Sequence, residues 1–126
     1  MPYENSLNTN YKESTMNFTF ETKNGVLIAK VLPKRATVEF SADFKEQLLE
    51  KIEKETARVV VDLSNVEFVD SSFLGALVAG LKRTTMKDGD LKIVGLQPSV
   101  RSMFELTRLY RIFDIFEKIE EAIDSF

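Results

Sequence analysis

Residues 58–81 constrain the fold more than any other part of the chain. The three consecutive valines of residues 59–61 indicate a short strand buried on both faces. A polar turn follows, and Asp70, Ser71 and Ser72 then stand where a helical pattern begins. A helix N-terminus has unpaired backbone N–H groups and a positive dipole end. This order therefore places two hydroxyls at a position that would suit a regulatory phosphate.

The rest of the chain alternates strand and helix patterns. Phe18 and Phe20 alternate with polar residues as in an edge strand, and Asn24-Gly25 is a strong hairpin signal. Ser41 is expected to cap the first helix, in the order β-β-α-β-α-β-α-β-α. Strands that alternate with helices after a hairpin predict a mostly parallel sheet. The helix after residue 70 is expected to bury a stripe of four apolar residues, Leu74, Leu77, Val78 and Leu81.

Composition fits one soluble globular domain and excludes several classes of function. The chain has 126 residues, 44% hydrophobic and 29% charged, with a net charge of -3. This balance argues against direct nucleic-acid binding. There is no cysteine and no histidine, so disulfides, thiolate chemistry and the commonest zinc ligands are excluded. No metal or cofactor is expected, no apolar run is long enough for membrane insertion, and a cytoplasmic location is the default expectation.

The chain is expected to divide into two parts. Residues 1–15 are rich in Asn, Ser, Thr and Glu and predict a flexible N-terminal tail. Residues 16–126 carry all the strand and helix patterns and predict one folded domain.

Asp70-Ser71-Ser72 followed by Leu74-Gly75 resembles the signature of the STAS-domain family, specifically its anti-sigma factor antagonists. That signature reads Asp-Ser-Ser/Thr-Gly-Leu-Gly, and the resemblance extends over roughly residues 17–125. It implies the STAS fold, a small mixed sheet of about five mostly parallel strands with about four helices packed against it. One departure is Phe73, where the family usually has glycine.

The resemblance also implies a function as an anti-sigma factor antagonist. The unphosphorylated protein would bind an anti-sigma factor that is also a GHKL-type serine kinase, and so release a sigma factor. Phosphorylation of Ser72, the second hydroxyl of the motif, would end binding, and a PP2C-type phosphatase would reset the protein. Asp70 and Ser71 would shape the loop and cap the helix. The chain itself would be no enzyme.

The same helix is expected to carry a docking face beside its core stripe. Ser72, Gly75, Ala76, Ala79 and Arg83 recur at three-to-four spacing, and the small residues would let a partner approach closely. The alternative is that these small residues pack against a neighbouring element.

Two further features are expected to border this face. Phe73 is assigned to the partner-binding set as an aromatic anchor, and the alternative is that it joins the core. Lys34, Arg35 and Thr37 lie in a loop that would give the rim a basic character, or that is simply solvated.

Other functions compete with the phosphorylation switch. Asp70, Ser71 and Ser72 could do no more than cap a helix. Enzyme motifs such as a glycine-lysine phosphate loop are absent, and the acidic pair of a response-regulator receiver is missing after the Val26 strand. The serious alternative is a constitutive STAS adaptor, either a partner of a lipid-transport ATPase or a scaffold subunit of a stress-sensing complex.

Overall fold

The computed structural model describes residues 17–126, so the tail expected for residues 1–15 and the domain start expected at Met16 lie outside the described residues. The strands are β1 (Phe18–Lys23), β2 (Val26–Val31), β3 (Arg35–Ala36), β4 (Arg58–Asp62), β5 (Phe68–Val69), β6 (Asp90–Val94) and β7 (Ile115–Phe116). The helices are α1 (Val38–Lys54), α2 (Ser71–Met86), α3 (Pro98–Leu106) and α4 (Ile119–Asp124), with a 3-10 turn at Leu109–Arg111.

Five of the strands form the main sheet, in the order β1-β2-β4-β6-β7. β1 is antiparallel to β2, and every other neighbouring pair is parallel. The expected hairpin is confirmed: Asn24 and Gly25 both have positive φ, 55° and 76°, as a two-residue turn between twisted strands requires. The expected mixed, mostly parallel sheet of five strands is thereby confirmed, with the valine-rich strand β4 at its centre.

The valine run of β4 is buried because helices cover both faces of the sheet. Val59 and Val61 belong to the larger core, which also takes apolar residues of α1, α2 and α3. Val60 points to the other face, where it packs in a smaller core with Ala122 of α4. Successive strand residues point to opposite faces, so an unbroken apolar run is what two covered faces demand.

A second sheet of only two strands was not expected. β3 and β5 pair in parallel, with Arg35 opposite Phe68 and Ala36 opposite Val69. A loop was expected around Lys34 and Arg35, and no strand was expected at Phe68–Val69, since runs of two residues carry no periodicity. The pairing forms because Ala36 and Val69 are buried in the larger core and hold the two backbones side by side.

The expected cap of α1 was placed four residues too late. The helix begins at Val38, and Thr37 is its N-cap residue. Ser41 instead lies in the first turn, where it is buried and its N–H donates to the Thr37 carbonyl at 3.0 Å. The apolar spacing that begins at Phe40 gave no sign of the extra turn before it.

Candidate functional site

Asp70 joins the N-termini of α1 and α2. Its Oδ1 accepts a hydrogen bond from the backbone N–H of Phe73 at 2.9 Å, which makes Asp70 the N-cap of α2. Its Oδ2 accepts a hydrogen bond from the N–H of Val38, the first residue of α1, at 2.7 Å. A single carboxylate thus satisfies one unpaired donor at each of two helix ends, and its negative charge is favoured by both dipoles.

The small β3–β5 sheet holds the two helix starts together. The Lys34 carbonyl accepts from the N–H groups of Glu67 and Phe68, and the Ala36 carbonyl accepts from the N–H of Asp70 at 3.3 Å. These bonds place the chain just before α1 beside the chain just before α2. The expected loop around residue 34 is therefore an ordered part of the site.

Ser71 and Ser72 are the first two residues of α2, and both are exposed. Within residues 17–126 neither hydroxyl takes part in a hydrogen bond. Asp70 supplies the N-cap hydrogen bond of α2, and both serine side chains are exposed beside it. The helix start beside them offers backbone N–H groups and a positive dipole end.

The assignment of Phe73 to the partner-binding residues is wrong. Phe73 is fully buried, and its ring stacks on Phe44 of α1 with centroids 5.0 Å apart. Phe44 in turn contacts Phe18 of β1, so the three rings form an aromatic core beneath the helix starts. Successive helical residues are about 100° apart, so Ser72 can face solvent while Phe73 faces inward.

The exposed face of α2 is narrower than the docking face that the sequence predicted. Ala76 is 4% exposed and belongs to the core, so its assignment to partner binding is also wrong. Gly75 is exposed, and a Cβ atom built on it would meet no atom within 4 Å. Ala79 is half-buried. α2 buries Ala76 because it packs against α1 as well as the sheet, which widens its buried arc.

Arg83 pairs with an acid of the neighbouring helix. Its guanidinium forms an ion pair with Glu53 of α1, and Lys87 lies 3.4 Å from the same carboxylate. The hydrogen bond from Arg83 lowers the pKa of Glu53 and the bond to Glu53 raises the pKa of Arg83. Arg83 therefore links α1 to α2, and its side chain remains partly exposed.

Two exposed apolar residues near the serines were missed by the sequence reasoning. Val38 is 67% exposed and Phe68 is 42% exposed. The guanidinium of Arg35 stacks over the Phe68 ring, 4.4 Å from its centroid. Val38 lay hidden in a segment assigned to a loop. Phe68 and Val69 are adjacent apolar residues, so no local pattern showed which of the two would be exposed.

We use the term cap surface for the exposed residues around these two helix starts. Lys34 belongs to it, 3.8 Å from Glu67 in an exposed ion pair, whereas Thr37 is half-buried and makes no side-chain capping bond. The cap surface consists of seven residues: Lys34, Arg35, Val38, Phe68, Ser71, Ser72 and Gly75.

Features of other classes of site were sought over the same part of the chain. Residues 17–126 contain no group of three or more carboxylate, imidazole or thiolate side chains placed to hold a metal ion. Within that range no helix has the length and apolar character that crossing a bilayer requires.

A model of the STAS domain matches residues 19–122. The chain belongs to the STAS domain family. It is 28% identical over 115 residues to the anti-sigma-B factor antagonist of Staphylococcus aureus, a match that covers 90% of this chain and 98% of that one.

Solved structures of other members share the fold. The Thermotoga maritima protein TM1081 superposes with a TM-score of 0.79 at 26% identity, covering 98% of this chain and 96% of that one. The anti-sigma factor antagonist SpoIIAA in its unphosphorylated form gives a TM-score of 0.75 at 17% identity, covering 86% and 94% of the two chains. At that identity the second likeness concerns the fold alone.

Proposed function

We propose that this STAS protein is an anti-sigma factor antagonist that binds an anti-sigma factor through its cap surface, and that phosphorylation of Ser72 ends the binding. The observation that carries the proposal is the exposed Ser72 hydroxyl, which bonds to no residue of 17–126 and lies at a helix start already capped by Asp70. The name of the Staphylococcus aureus relative supports the class of function. The chain acts by binding, so ATP belongs to its partner.

The burial of Phe73 supports Ser72 as the modified residue. A phenylalanine in place of the family's glycine would obstruct a kinase if its ring covered the serines. The ring is instead stacked on Phe44 in the core, and the exposed side of α2 continues from Ser72 to the open surface at Gly75. A kinase therefore meets much the same small-residue surface that a glycine would leave.

The cap surface suits a phosphate-sensitive interface. Val38 and Phe68 provide exposed apolar area around the two helix starts, and such residues gain from burial against a partner. A phosphate on Ser72 adds roughly -1.5 to -2 charges at neutral pH. In the free protein the α2 dipole stabilises this charge, whereas a closed interface would have to desolvate it. A loss of about 3 kcal/mol would weaken binding by more than about a hundredfold.

The partners follow from this mechanism. We propose an anti-sigma factor with GHKL-type serine kinase activity as the binding partner, and a PP2C-type phosphatase that removes the phosphate. Repulsion between the phosphate and the nearby Asp70 carboxylate would become stronger once a closed interface excluded water, and would thereby add to the loss of affinity. No large rearrangement of the chain is required, since the change is one of local charge.

The proposal is tested with purified GHKL-type anti-sigma factors from the source organism. Each is incubated with ATP and this protein, the peptide containing Ser71 and Ser72 is analysed by mass spectrometry, and binding is measured by calorimetry. We expect phosphate on Ser72, none in Ser72→Ala, and unchanged phosphorylation in Ser71→Ala, the matched control. Ser72→Asp should bind at least about tenfold more weakly than Ser72→Ala.

Two results would contradict the switch. Phosphate found on Ser71 alone would show that Ser72 is not the modified residue. Stable binding of a partner with no phosphate on either serine, and equal affinity of Ser72→Ala and Ser72→Asp, would favour the constitutive adaptor. Copurification with a lipid-transport ATPase or a stress-sensing complex would then identify which adaptor it is.

A further inference from the structure

β1 forms one edge of the main sheet, and half of its backbone groups point away from β2. The N–H of Leu32 donates to the Asn17 carbonyl at 2.9 Å, just before the strand begins. Hydrogen-bonded and non-bonded pairs alternate along an antiparallel ladder. In the register of β1 and β2, the outward backbone groups are therefore those of Phe18, Phe20 and Thr22. No residue of 17–126 pairs with this edge.

This edge lacks most of the features that usually prevent strand addition. β1 is six residues long, contains no proline and pairs with β2 without a bulge. Beside it lies a groove of about 450 Å³, lined by Phe18 and Phe20 and by Gln47 and Lys51 of α1. Phe20 is only half-buried there, so apolar area adjoins the free backbone groups.

We propose that β1 pairs with β1 of a second copy of this chain, antiparallel and with Phe20 on the two-fold axis. In this register Phe20 faces Phe20 of the second copy, and Phe18 faces Thr22, so all three outward pairs of backbone groups are bonded. On the opposite face Thr19 lies across from Glu21. The strand is complementary to itself, which is the condition for a closed symmetric dimer.

Charge disfavours the register whose axis passes through Glu21. Shifting the axis to Glu21 would place two glutamates directly opposite each other, and like charges across a pair of strands destabilise it. With Phe20 on the axis, Glu21 faces a threonine and Lys23 faces Asn17, so no like charges are directly opposite. The two Phe20 rings meet on the face that α1 covers, where they extend the groove into shared apolar surface.

Pairing of β1 between two copies does not depend on phosphorylation of Ser72. A two-fold axis through β1 reverses the strand direction between the copies. The carboxyl end of β2, which leads into Lys34 and the cap surface, would point one way in one copy and the other way in its partner. The assembly would present two cap surfaces at opposite ends and bind two partners at once.

The first test measures the mass of the full-length protein in solution against concentration, by sedimentation equilibrium. We expect the mass to rise from one chain to two. Thr22→Pro removes only an outward N–H, so it should leave the β2 ladder intact and weaken the dimer by at least about tenfold. Thr22→Val is the matched control, since both variants lose the Thr22 bond to Glu55. A single-chain mass at every concentration would overturn the proposal.

The second test avoids a proline substitution and determines which residues of the two β1 strands lie opposite each other. The native chain has no cysteine, so single cysteines can be introduced at exposed positions of β1. An equimolar mixture of Thr19→Cys and Glu21→Cys should form a disulfide-linked dimer, because these positions face each other across the axis. Each variant alone should cross-link far less. Equal cross-linking of Glu21→Cys alone would refute the Phe20 register, and no cross-linking in any combination would refute β1 pairing.

Discussion

Replacing Asp70 by alanine removes one acceptor from the start of each of two helices. The Phe73 N–H loses its partner at 2.9 Å and the Val38 N–H loses its partner at 2.7 Å. Each lost capping bond costs about 1 kcal/mol, within a range of roughly 0.5–2 kcal/mol. The two bonds are on different helices and therefore add, so Asp70→Ala should destabilise the domain by about 2 kcal/mol.

Asp70→Asn separates the two contributions. An asparagine keeps one oxygen that can cap α2, but its NH2 group cannot accept from the Val38 N–H. Asp70→Asn should therefore destabilise the domain by about 1 kcal/mol, half as much as Asp70→Ala. Ser71→Ala is the matched control, because the Ser71 hydroxyl bonds to no residue of 17–126, and it should change stability by less than about 0.5 kcal/mol.

Urea denaturation followed by circular dichroism measures these differences, and the thermal midpoint of Asp70→Ala should fall by about 7 °C. Amide exchange should also accelerate at both Val38 and Phe73 in Asp70→Ala. If Asp70→Ala costs no more than Asp70→Asn, or if only the Phe73 amide changes, the carboxylate does not join the two helices. Asp70 would then be an ordinary cap of α2.

Three further predictions concern the packing of α2 and the second face of the sheet. Gly80→Ala should destabilise the domain by about 1 kcal/mol, since its Cβ would lie 2.7 Å from Leu48 Cδ2. Gly75→Ala places its Cβ in open space and should stabilise the domain by about 0.5–1 kcal/mol. Urea denaturation of the two variants measures both changes. Arg83→Gln should raise the pKa of Glu53 towards its ordinary value, and an NMR titration of Glu53 measures the change. Any stabilisation from this exposed ion pair is present above the ordinary carboxyl pKa. It is lost as the pH falls through the lowered pKa of Glu53. Lys92→Met should change the free energy of unfolding by less than about 1 kcal/mol. The methionine keeps the buried aliphatic part of the side chain, and the carboxylates of Asp90 and Asp114 can be hydrated instead. A larger loss in urea denaturation would show that the two ion pairs stabilise the domain.

The parts of the fold that the sequence predicted are those with strong local signals. The Asn24-Gly25 turn fixes the hairpin because both residues accept positive φ. The valines of residues 59–61 indicate a central strand because only a doubly covered strand is apolar at every position. The β3–β5 pairing has no comparable signal. It depends on Ala36 and Val69 being buried by elements far away in the sequence, which no local pattern reports.

The errors on α2 have one physical origin. The four-residue stripe predicted for this helix assumes a single packing surface, the sheet. The helix in fact packs on β6 and on α1 together, so its buried arc extends to Phe73, Ala76 and Gly80. Small residues at Ala76 and Gly80 allow α1 and β6 to approach closely, as the short distances to a Gly80 Cβ show. The same residue sizes on the exposed side would suit a docking partner, so residue type alone could not separate the two roles.

Phe73 shows how the cap surface can keep its shape while the motif changes. A glycine at this position would leave the space under the helix starts to be filled by other side chains, whereas Phe73 fills it by stacking on Phe44. Its ring is fully buried and belongs to the aromatic core, and the two serines beside it are exposed. The proposed switch requires only that nothing at this position projects outward beside Ser72. Glycine meets this requirement by having no side chain, and phenylalanine meets it by pointing the side chain inward.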